Sequence, residues 1–229
     1  MARKTANSTD PQLASRCVRI LIVDDHPLIR QGLAEKIADE TDMEVCGEAE
    51  SLSEAIHQVK TAHPNVVVVD LSLKSGHGID LIEQIKAYNE NIKMLVLSLH
   101  DESLFAERAL RAGASGYLSK QEPPTRVIDA IRQILGGEIC ISEKLTSQLL
   151  HSVVGDKPLE GDPIQTLSNR ELEVFELIGE GMTTKQIAGK LHLSPKTIES
   201  HCEKIASKLG TANRNELICR AARHVLESR

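Results

Sequence analysis

The first part of the chain alternates short runs of apolar residues with longer segments in which apolar residues recur every three or four positions. The runs include RILIVDD at 19–25, NVVVVD at 65–70, IKMLVLS at 92–98 and SGYLSK at 115–120. Runs of this kind are typical of strands buried on both faces, and the periodicity between them is typical of amphipathic helices. We therefore predict five parallel strands, alternating with five helices, in a doubly wound α/β sheet over residues 17–140.

Polar and helix-breaking residues set the predicted boundaries. Pro27 begins the helix after the first run, and Ser53 is the predicted N-cap of the second helix. The segment GDKPLEGDP at 155–163 is rich in glycine, proline and aspartate, which indicates a linker. The predicted parts of the chain are a disordered lead-in at 1–16, the α/β domain at 17–140, a linker at 141–164 and a second domain at 165–229.

The second domain has a helical pattern throughout. Ser168 and Glu171 have the spacing of a capping box at the start of its first helix. A short second helix covers 184–191, and after the turn HLS a third helix begins at Pro195 and ends before Gly210. A fourth helix completes the domain, so we predict a small all-α unit with a helix-turn-helix spacing.

Composition and charge narrow the classes of function. The net charge is −6, but residues 164–229 carry ten basic and eight acidic residues, so this part is +2 and the remainder −8. The positive sign is a weak indication of nucleic-acid binding, and an aromatic content of 2% disfavours recognition of single strands by base stacking. Five scattered cysteines without a CxxC pair favour reduced thiols in a cytoplasmic protein. We expect no membrane span and no signal peptide.

Five polar residues follow the predicted strands: Asp24, Asp25, Asp70, Ser98 and Lys120. The carboxyl ends of parallel strands meet at one edge of a sheet, so we expect these groups to share a crevice. Three neighbouring carboxylates require a proton or a cation, and a hard divalent ion such as Mg²⁺ suits oxygen ligands. A lysine offers positive charge to a phosphoryl group, and a carboxylate can attack phosphorus to form an acyl phosphate. Asp70 ends the most uniformly apolar run and is the best candidate for that acceptor.

Two groups of motifs resemble a known family. The segments LIVDDHPLIRQGL, VVVVDLSLKSGHG, MLVLSLHDE and AGASGYLSK resemble the receiver domain of two-component response regulators. The segment from LSNRELEVFELIG to SKLGTANRNEL resembles the LuxR-type helix-turn-helix, and the two in this order resemble the NarL/FixJ class. The resemblance implies a flavodoxin-like receiver joined to a DNA-binding domain, and a phosphorylation-controlled transcription regulator that is not a dedicated enzyme.

For the receiver, the resemblance implies that Asp70 accepts a phosphoryl group from a sensor histidine kinase. Mg²⁺ would be held by Asp25, Asp70 and the backbone carbonyl of Ser72, with Asp24 acting mainly through water. Ser72 also lies at a position where the family tunes the lifetime of the phosphorylated state, as does His100.

The resemblance also implies how the phosphoryl group acts. Ser98 and Lys120 would bind the phosphoryl oxygens, and Tyr117 matches the aromatic switch position that fills the space behind Ser98. The charge added by phosphorylation would bias a two-state element and promote a homodimer. RNA polymerase is a further partner that the resemblance suggests.

For the second domain, the resemblance places the third helix in the major groove of double-stranded DNA. The residues expected to contact DNA are Lys196, Thr197, Glu199, Ser200, His201, Lys204 and Lys208. Glu199 and Glu203 would repel phosphates, so we expect weak binding by the monomer, with dimerisation through the fourth helix supplying the rest.

Other interpretations remain open from the residues alone. An aspartate at a strand end is commonly a turn residue, and Lys120 could be a solvated surface lysine. An aspartyl-phosphate phosphohydrolase would use the same pocket, but such enzymes typically carry a second aspartate where this chain has Ser72. A regulator controlled only by protein partners is a further alternative, against which retention of all five pocket residues argues. The helical domain could also be a bundle for protein contacts.

Overall fold

The computed structural model describes residues 17–147 and 163–228. The predicted lead-in and most of the predicted linker lie outside these residues. In the first range, five parallel strands form one sheet in the order β2-β1-β3-β4-β5. The strands are β1 Val18–Val23, β2 Met43–Ala49, β3 Val66–Val69, β4 Lys93–Ser98 and β5 Gly116–Ser119. The doubly wound α/β fold predicted from the apolar runs is confirmed.

Five helices cover the two faces of this sheet: four of them connect one parallel strand to the next, and the fifth follows the last strand. They are α1 Pro27–Ala38, α2 Leu52–Ala62, α3 Gly78–Tyr88, α4 Glu102–Ala112 and α5 Pro124–Leu135. The side chains of β1 alternate between two apolar clusters. Ile20 and Ile22 pack on the side of α1 and α5, whereas Leu21 and Val23 pack on the side of α2, α3 and α4.

The start of α2 differs from the prediction. Ser51, not Ser53, is the N-cap, and its hydroxyl accepts a hydrogen bond from the backbone N–H of Glu54. The Glu54 carboxylate in turn accepts from the N–H of Glu50 at 2.9 Å. Ser51 and Glu54 have the spacing of a capping box, and this pairing decides between the two serines.

The connection from β3 to α3 folds back tightly on the end of β3. Gly78 donates its N–H to the carbonyl of Leu71 at 2.8 Å. A Cβ atom at Gly78 would lie 2.2 Å from the carbonyl oxygen of Asp70 and 2.7 Å from Cα of Leu71. Only glycine allows this approach, which fixes the backbone at Asp70.

The second range is helical, as predicted. Its helices are α6 Asn169–Gly179, α7 Thr184–Lys190, α8 Pro195–Leu209 and α9 Arg214–Ser228. The capping box of Ser168 and Glu171 is present in both directions, and Gly210 ends α8 in the left-handed region with φ 67°. The second helix ends one residue earlier than the prediction, at Lys190. Within the described residues, none of the helices has the length and apolar character that crossing a membrane requires.

The helical unit and the α/β unit share apolar contacts. Phe105 of α4 and Leu172 and Phe175 of α6 belong to one continuous cluster of buried side chains. The guanidinium of Arg108 spans the same boundary and donates to the carbonyls of Leu167 at 2.7 Å and of Ile164 at 3.2 Å. The second unit is therefore packed against the side of the sheet that carries α3 and α4.

We expect Gly78→Ala to lower the free energy of unfolding by about 1–3 kcal/mol or more, the usual cost of forcing atoms into a filled space. Chemical denaturation monitored by circular dichroism measures this loss. Gly32→Ala in α1 is the matched control, since a Cβ there meets nothing within 4 Å and alanine favours a helix. Equal midpoints for the two variants would contradict the tight approach at Asp70.

Candidate functional site

Three charged side chains meet at the carboxyl ends of β1, β3 and β5. The ammonium of Lys120 lies 2.7 Å from Oδ2 of Asp24 and 2.7 Å from Oδ2 of Asp70. All three side chains are buried, with 3–4% of their surface exposed. The convergence expected from the strand ends is therefore observed, although Asp24 and Asp70 are 46 positions apart in the chain and Asp70 and Lys120 are 50 positions apart.

Asp25 completes an acidic group at the end of β1. Its Oδ1 lies 2.6 Å from Nδ1 of His26, yet this buried oxygen accepts no well-directed hydrogen bond within the described residues. Asp24, Asp25, His26 and Asp70 offer ligand atoms that all lie within 4.8 Å of one another. Carboxylate oxygens at this separation, one of them without a donor, fit a hard divalent cation.

Burial controls the protonation of the acceptor candidate. Removal from water raises the pKa of Asp70 to about 6, and the neighbouring Asp24 adds to the rise, whereas Lys120 opposes it. A divalent cation beside the carboxylate would favour its charged form. The electrostatics of the pocket therefore favour a cation in addition to the ammonium of Lys120.

Ser98 and Tyr117 lie behind the pocket. Ser98 is fully buried, lines the same cavity as Asp70 and Lys120, and accepts a hydrogen bond from the N–H of His100 at 3.2 Å. Tyr117 is also buried, and its hydroxyl donates to the carbonyl of His100 at 3.0 Å. Both predicted residues thus contact the backbone of the same histidine.

His100 belongs to a polar cluster that the sequence did not reveal. Its Nε2 lies 2.8 Å from the hydroxyl of Ser72, which donates to Oε1 of Glu173 at 2.5 Å. Its Nδ1 contacts Oε2 of Glu176, and the N–H of Asp101 donates to the other oxygen of Glu176 at 3.0 Å. We call His100, Ser72, Glu173 and Glu176 the interdomain cluster, because both glutamates lie on α6.

The charges in the interdomain cluster stabilise one another. Burial alone disfavours the imidazolium, but hydrogen bonds to Glu173 and Glu176 raise the pKa of His100 to about 10. Burial likewise disfavours the carboxylate of Glu173, but the hydrogen bond to His100 and the charges of His77 and Arg170 lower its pKa to about 2. His100 with both ring nitrogens protonated therefore faces two carboxylates from the second unit.

A second contact from the helical unit reaches the acidic group directly. Nε2 of His192, in the turn between α7 and α8, lies 3.4 Å from Oδ2 of Asp25. His192 has φ 52°, in the left-handed region that a non-glycine residue adopts rarely. Nothing in the local pattern HLS distinguishes it from an ordinary turn residue, so sequence analysis had no signal for this contact.

Helix α8 presents a polar face to solvent. Ser194 caps it by accepting from the N–H of Thr197 at 3.1 Å, and Pro195 occupies its first turn. Ile198 and Ile205 are fully buried on the opposite face. Its exposed side chains include Lys196, Glu199, Ser200, Glu203, Lys204, Ser207 and Lys208.

Three of the residues predicted to contact DNA either have partners within the protein or are partly buried. The hydroxyl of Thr197 pairs with that of Ser194 at 2.8 Å, and the ammonium of Lys208 donates to Glu171 at 2.6 Å. His201 is half-buried, and burial together with the charges of Lys204 and Arg170 lowers its pKa. The exposed members of the set that carry a hydrogen-bond donor are Lys196, Ser200, Lys204 and Lys208, and of these Lys208 is bound to Glu171.

A parallel sheet with an acidic edge and a lysine, followed by a capped helix-turn-helix, defines a two-domain response regulator. Residues 20–132 match the family described as "Response regulator receiver domain", and residues 165–221 match "Bacterial regulatory proteins, luxR family". The chain belongs to the response regulators that combine a receiver with a LuxR-type DNA-binding domain.

Curated relatives share this organisation over nearly their whole length. "Response regulator UvrY" of Escherichia coli is 32% identical over 209 residues, which cover 91% of this chain and 95% of that protein. "Oxygen regulatory protein NreC" of Staphylococcus aureus is 35% identical over 206 residues, which cover 88% and 95%. The chain is similar in both of its parts to established regulators of this type.

Solved structures of RcsB from Salmonella are similar as well. One RcsB structure has a TM-score of 0.62 and 28% identity, covering 91% of this chain and 98% of that one. Another, described as bound to promoter P1flhDC in the presence of phosphomimetic BeF3−, has a TM-score of 0.60 and 28% identity, covering 90% and 99%.

We expect Lys120→Met to destabilise the protein by about 3–5 kcal/mol, because it leaves two buried carboxylates without their counter-charge. Denaturant unfolding measures the loss, and added Mg²⁺ should recover part of it. Lys36→Met is the control, since Lys36 pairs with Asp39 at an exposed surface and should change stability little. Similar small losses in both variants would show that the salt bridges of Lys120 contribute little to the free energy of unfolding.

Proposed function

We propose that this chain is a phosphorylation-controlled DNA-binding transcription regulator in which Asp70 accepts a phosphoryl group from a sensor histidine kinase. The observation that supports this most directly is the ammonium of Lys120 between Asp24 and Asp70, with Asp25 adjacent. Asp70 would attack phosphorus through one carboxylate oxygen to form an O–P bond, the P–N bond of the donor's phosphohistidine would break, and the imidazole nitrogen would keep the electrons of that bond. The receiver assists this transfer and the later loss of phosphate without being a dedicated enzyme.

Mg²⁺ is the proposed cofactor. Asp25, Asp70 and the backbone carbonyl of Ser72 would hold it, with Asp24 acting through water. When bound, the ion neutralises charge on the transferring phosphoryl group and draws its oxygens toward the carboxylates. Before transfer, Lys120 stays bound to Asp70. After transfer, Lys120 would bind a phosphoryl oxygen instead, since that oxygen carries the negative charge.

Ser98 and Tyr117 are the proposed switch residues. Ser98 would donate its hydroxyl to a phosphoryl oxygen, which requires it to move toward Asp70. His100 would follow, because its N–H donates to Ser98 and its carbonyl accepts from Tyr117. Phosphorylation adds close to two negative charges and three acceptor oxygens, enough to bias such an element.

Double-stranded DNA is the proposed ligand of the second domain, with α8 in the major groove. The proposed contacts are Lys196, Thr197, Glu199, Ser200, His201, Lys204 and Lys208. Lys196 and Lys204 are exposed and suited to phosphate or guanine, whereas Lys208 would first have to leave Glu171. RcsB bound to promoter DNA, at 28% identity, supports this proposal.

The remaining proposals concern organisation and partners. We propose a receiver at 17–140, a linker at 141–164 and a DNA-binding domain at 165–229, following the lead-in at 1–16. A homodimer would form on activation, and RNA polymerase is a further proposed partner. A structure described as two RcsB dimers bound to two parallel DNAs is consistent with the dimer. The proposed location is the cytoplasm.

We expect Asp70→Asn to abolish uptake of a phosphoryl group from acetyl phosphate in the presence of Mg²⁺, because the amide cannot act as the nucleophile. Intact-protein mass spectrometry measures the gain. Asp129→Asn, on the exposed face of α5, removes the same charge and should be modified like the wild type. Wild-type uptake by the Asp70 variant would place the acceptor elsewhere.

We expect Lys204→Ala to weaken DNA binding and to reduce the slope of log K against log salt by about one unit, as loss of one phosphate contact does. Fluorescence anisotropy with a labelled duplex at several salt concentrations measures this slope. Lys60→Ala in α2 of the receiver is the control and should leave the slope unchanged. An unaltered slope for the Lys204 variant would remove Lys204 from the phosphate contacts.

A further inference from the structure

We infer that the imidazole of His26 is a nitrogen ligand of the cation site, and that the site therefore selects transition-metal ions such as Fe²⁺, Co²⁺ and Zn²⁺ over Mg²⁺. This assignment rests on the cation site of the proposed function and deepens it by naming the class of ion that the site prefers. Mg²⁺ can still occupy the same place through the carboxylate oxygens.

His26 is held at the mouth of the acidic pocket by its own backbone. It is the N-cap of α1, in an extended conformation, and Pro27 occupies the first turn that follows. Its N–H donates to Oδ1 of Asp24 at 2.8 Å. The ring lies beside the carboxylates, with Nδ1 3.2 Å from Oδ1 of Asp24 and 2.6 Å from Oδ1 of Asp25. The start of α1 thus aims one ring nitrogen into the pocket.

The carboxylates differ in how far the protein satisfies them. Oδ2 of Asp24 and Oδ2 of Asp70 each bind the ammonium of Lys120 at 2.7 Å. Oδ1 of Asp24 accepts the N–H of His26, so both of its oxygens have partners. Asp25 is different, because its side chain is only 7% exposed and its Oδ1 accepts no hydrogen bond within the described residues. A cation drawn to this oxygen would lie next to Nδ1 of His26.

The resulting set of donor atoms mixes nitrogen with oxygen. Asp25, His26 and Asp70 offer ligand atoms within 4.8 Å of one another. Mg²⁺ takes oxygen ligands in near-octahedral geometry and keeps several waters. Imidazole suits iron, nickel, copper and zinc, and affinity for nitrogen and oxygen sites rises along the first-row series. An imidazole among carboxylates therefore moves the preference of the pocket away from Mg²⁺.

A second imidazole near the pocket provides an internal comparison. Nε2 of His192 lies 3.4 Å from Oδ2 of Asp25, which is the other oxygen of that carboxylate. Among the described residues, the group with ligand atoms within 4.8 Å of one another includes His26 but not His192. Two histidines thus contact the same aspartate, and only one of them belongs to the donor set.

The first test identifies the ligand atom. Proton NMR of the full chain loaded with Co²⁺ should show a strongly shifted, exchangeable proton, the N–H of an imidazole bound to the paramagnetic ion. This proton should be absent in His26→Asn and present in His192→Asn. Asparagine is a favourable N-cap, so the substitution at position 26 does not endanger α1. Persistence of the proton in His26→Asn, or its loss in His192→Asn, would overturn the assignment.

Asp25→Asn locates the bound ion. It changes the buried oxygen without touching either histidine, so the shifted imidazole proton should disappear. A proton that persists in this variant would come from Co²⁺ bound at other histidines, and that result would also overturn the assignment.

The second test measures selectivity. Mg²⁺ is titrated against the Co²⁺-loaded protein, and loss of the shifted aspartate protons gives the ratio of the two affinities. The preference for Co²⁺ should fall about tenfold or more in His26→Asn, since even an indirect partner of a metal ligand contributes that much. His63→Asn is the matched control: it removes an exposed imidazole at φ 45°, a backbone conformation that asparagine tolerates. A histidine that only pairs with the aspartates predicts the same ratio in all three proteins, and equal ratios would contradict the nitrogen ligand.

These outcomes separate the role of His26 from the proposed function. If the wild type binds neither Co²⁺ nor Mg²⁺, the cation site fails, and the proposed function fails with it. If Mg²⁺ supports phosphorylation of Asp70 but Co²⁺ gives no shifted imidazole proton, only the role of His26 is overturned.

Discussion

The bridge from Lys120 to Asp24 and Asp70 is the interaction on which the rest of the site depends. Three strands deliver these groups to one edge, and the sheet buries them where water screens charge poorly. An ammonium between two carboxylates offsets much of their repulsion, but the carboxylates outnumber it and Asp25 adds a third, so the pocket stays acidic. This excess of negative charge is compatible with the binding of a cation.

Buried groups of opposite charge also meet at the boundary between the domains. His100 faces Glu173 and Glu176 in a buried environment, and Glu173 is also paired with Arg170 of its own helix. Because the backbone of His100 also contacts Ser98 and Tyr117, the charged contact between the domains and the two predicted switch residues meet at His100. Contacts therefore connect Ser98, in the wall of the acidic pocket, to the second domain through His100.

The sheet and the acidic pocket were predictable because both follow from local rules: apolar runs define buried strands, and polar residues that follow them must meet at one edge. The predicted N-cap of α2 was wrong because both Ser51 and Ser53 lie at the start of the helix, and only the pairing of Ser51 with Glu54 distinguishes them. The interdomain cluster was not predicted because its partners are far apart in the chain. A signal existed in α6, where Glu173 and Glu176 alternate with the apolar residues Leu172, Val174, Phe175 and Leu177 in a stretch that is buried throughout.

The apolar cluster that joins Phe105 to Leu172 and Phe175 has a consequence for how the molecule melts. Losing the packing of either domain would bring hydrocarbon surface of the other into contact with water, at a cost proportional to the area uncovered. The two units consequently do not have independent stabilities, and heat should denature them as one cooperative block. A molecule cleaved between the two units would expose an apolar surface on each half, and each half would tend to self-associate.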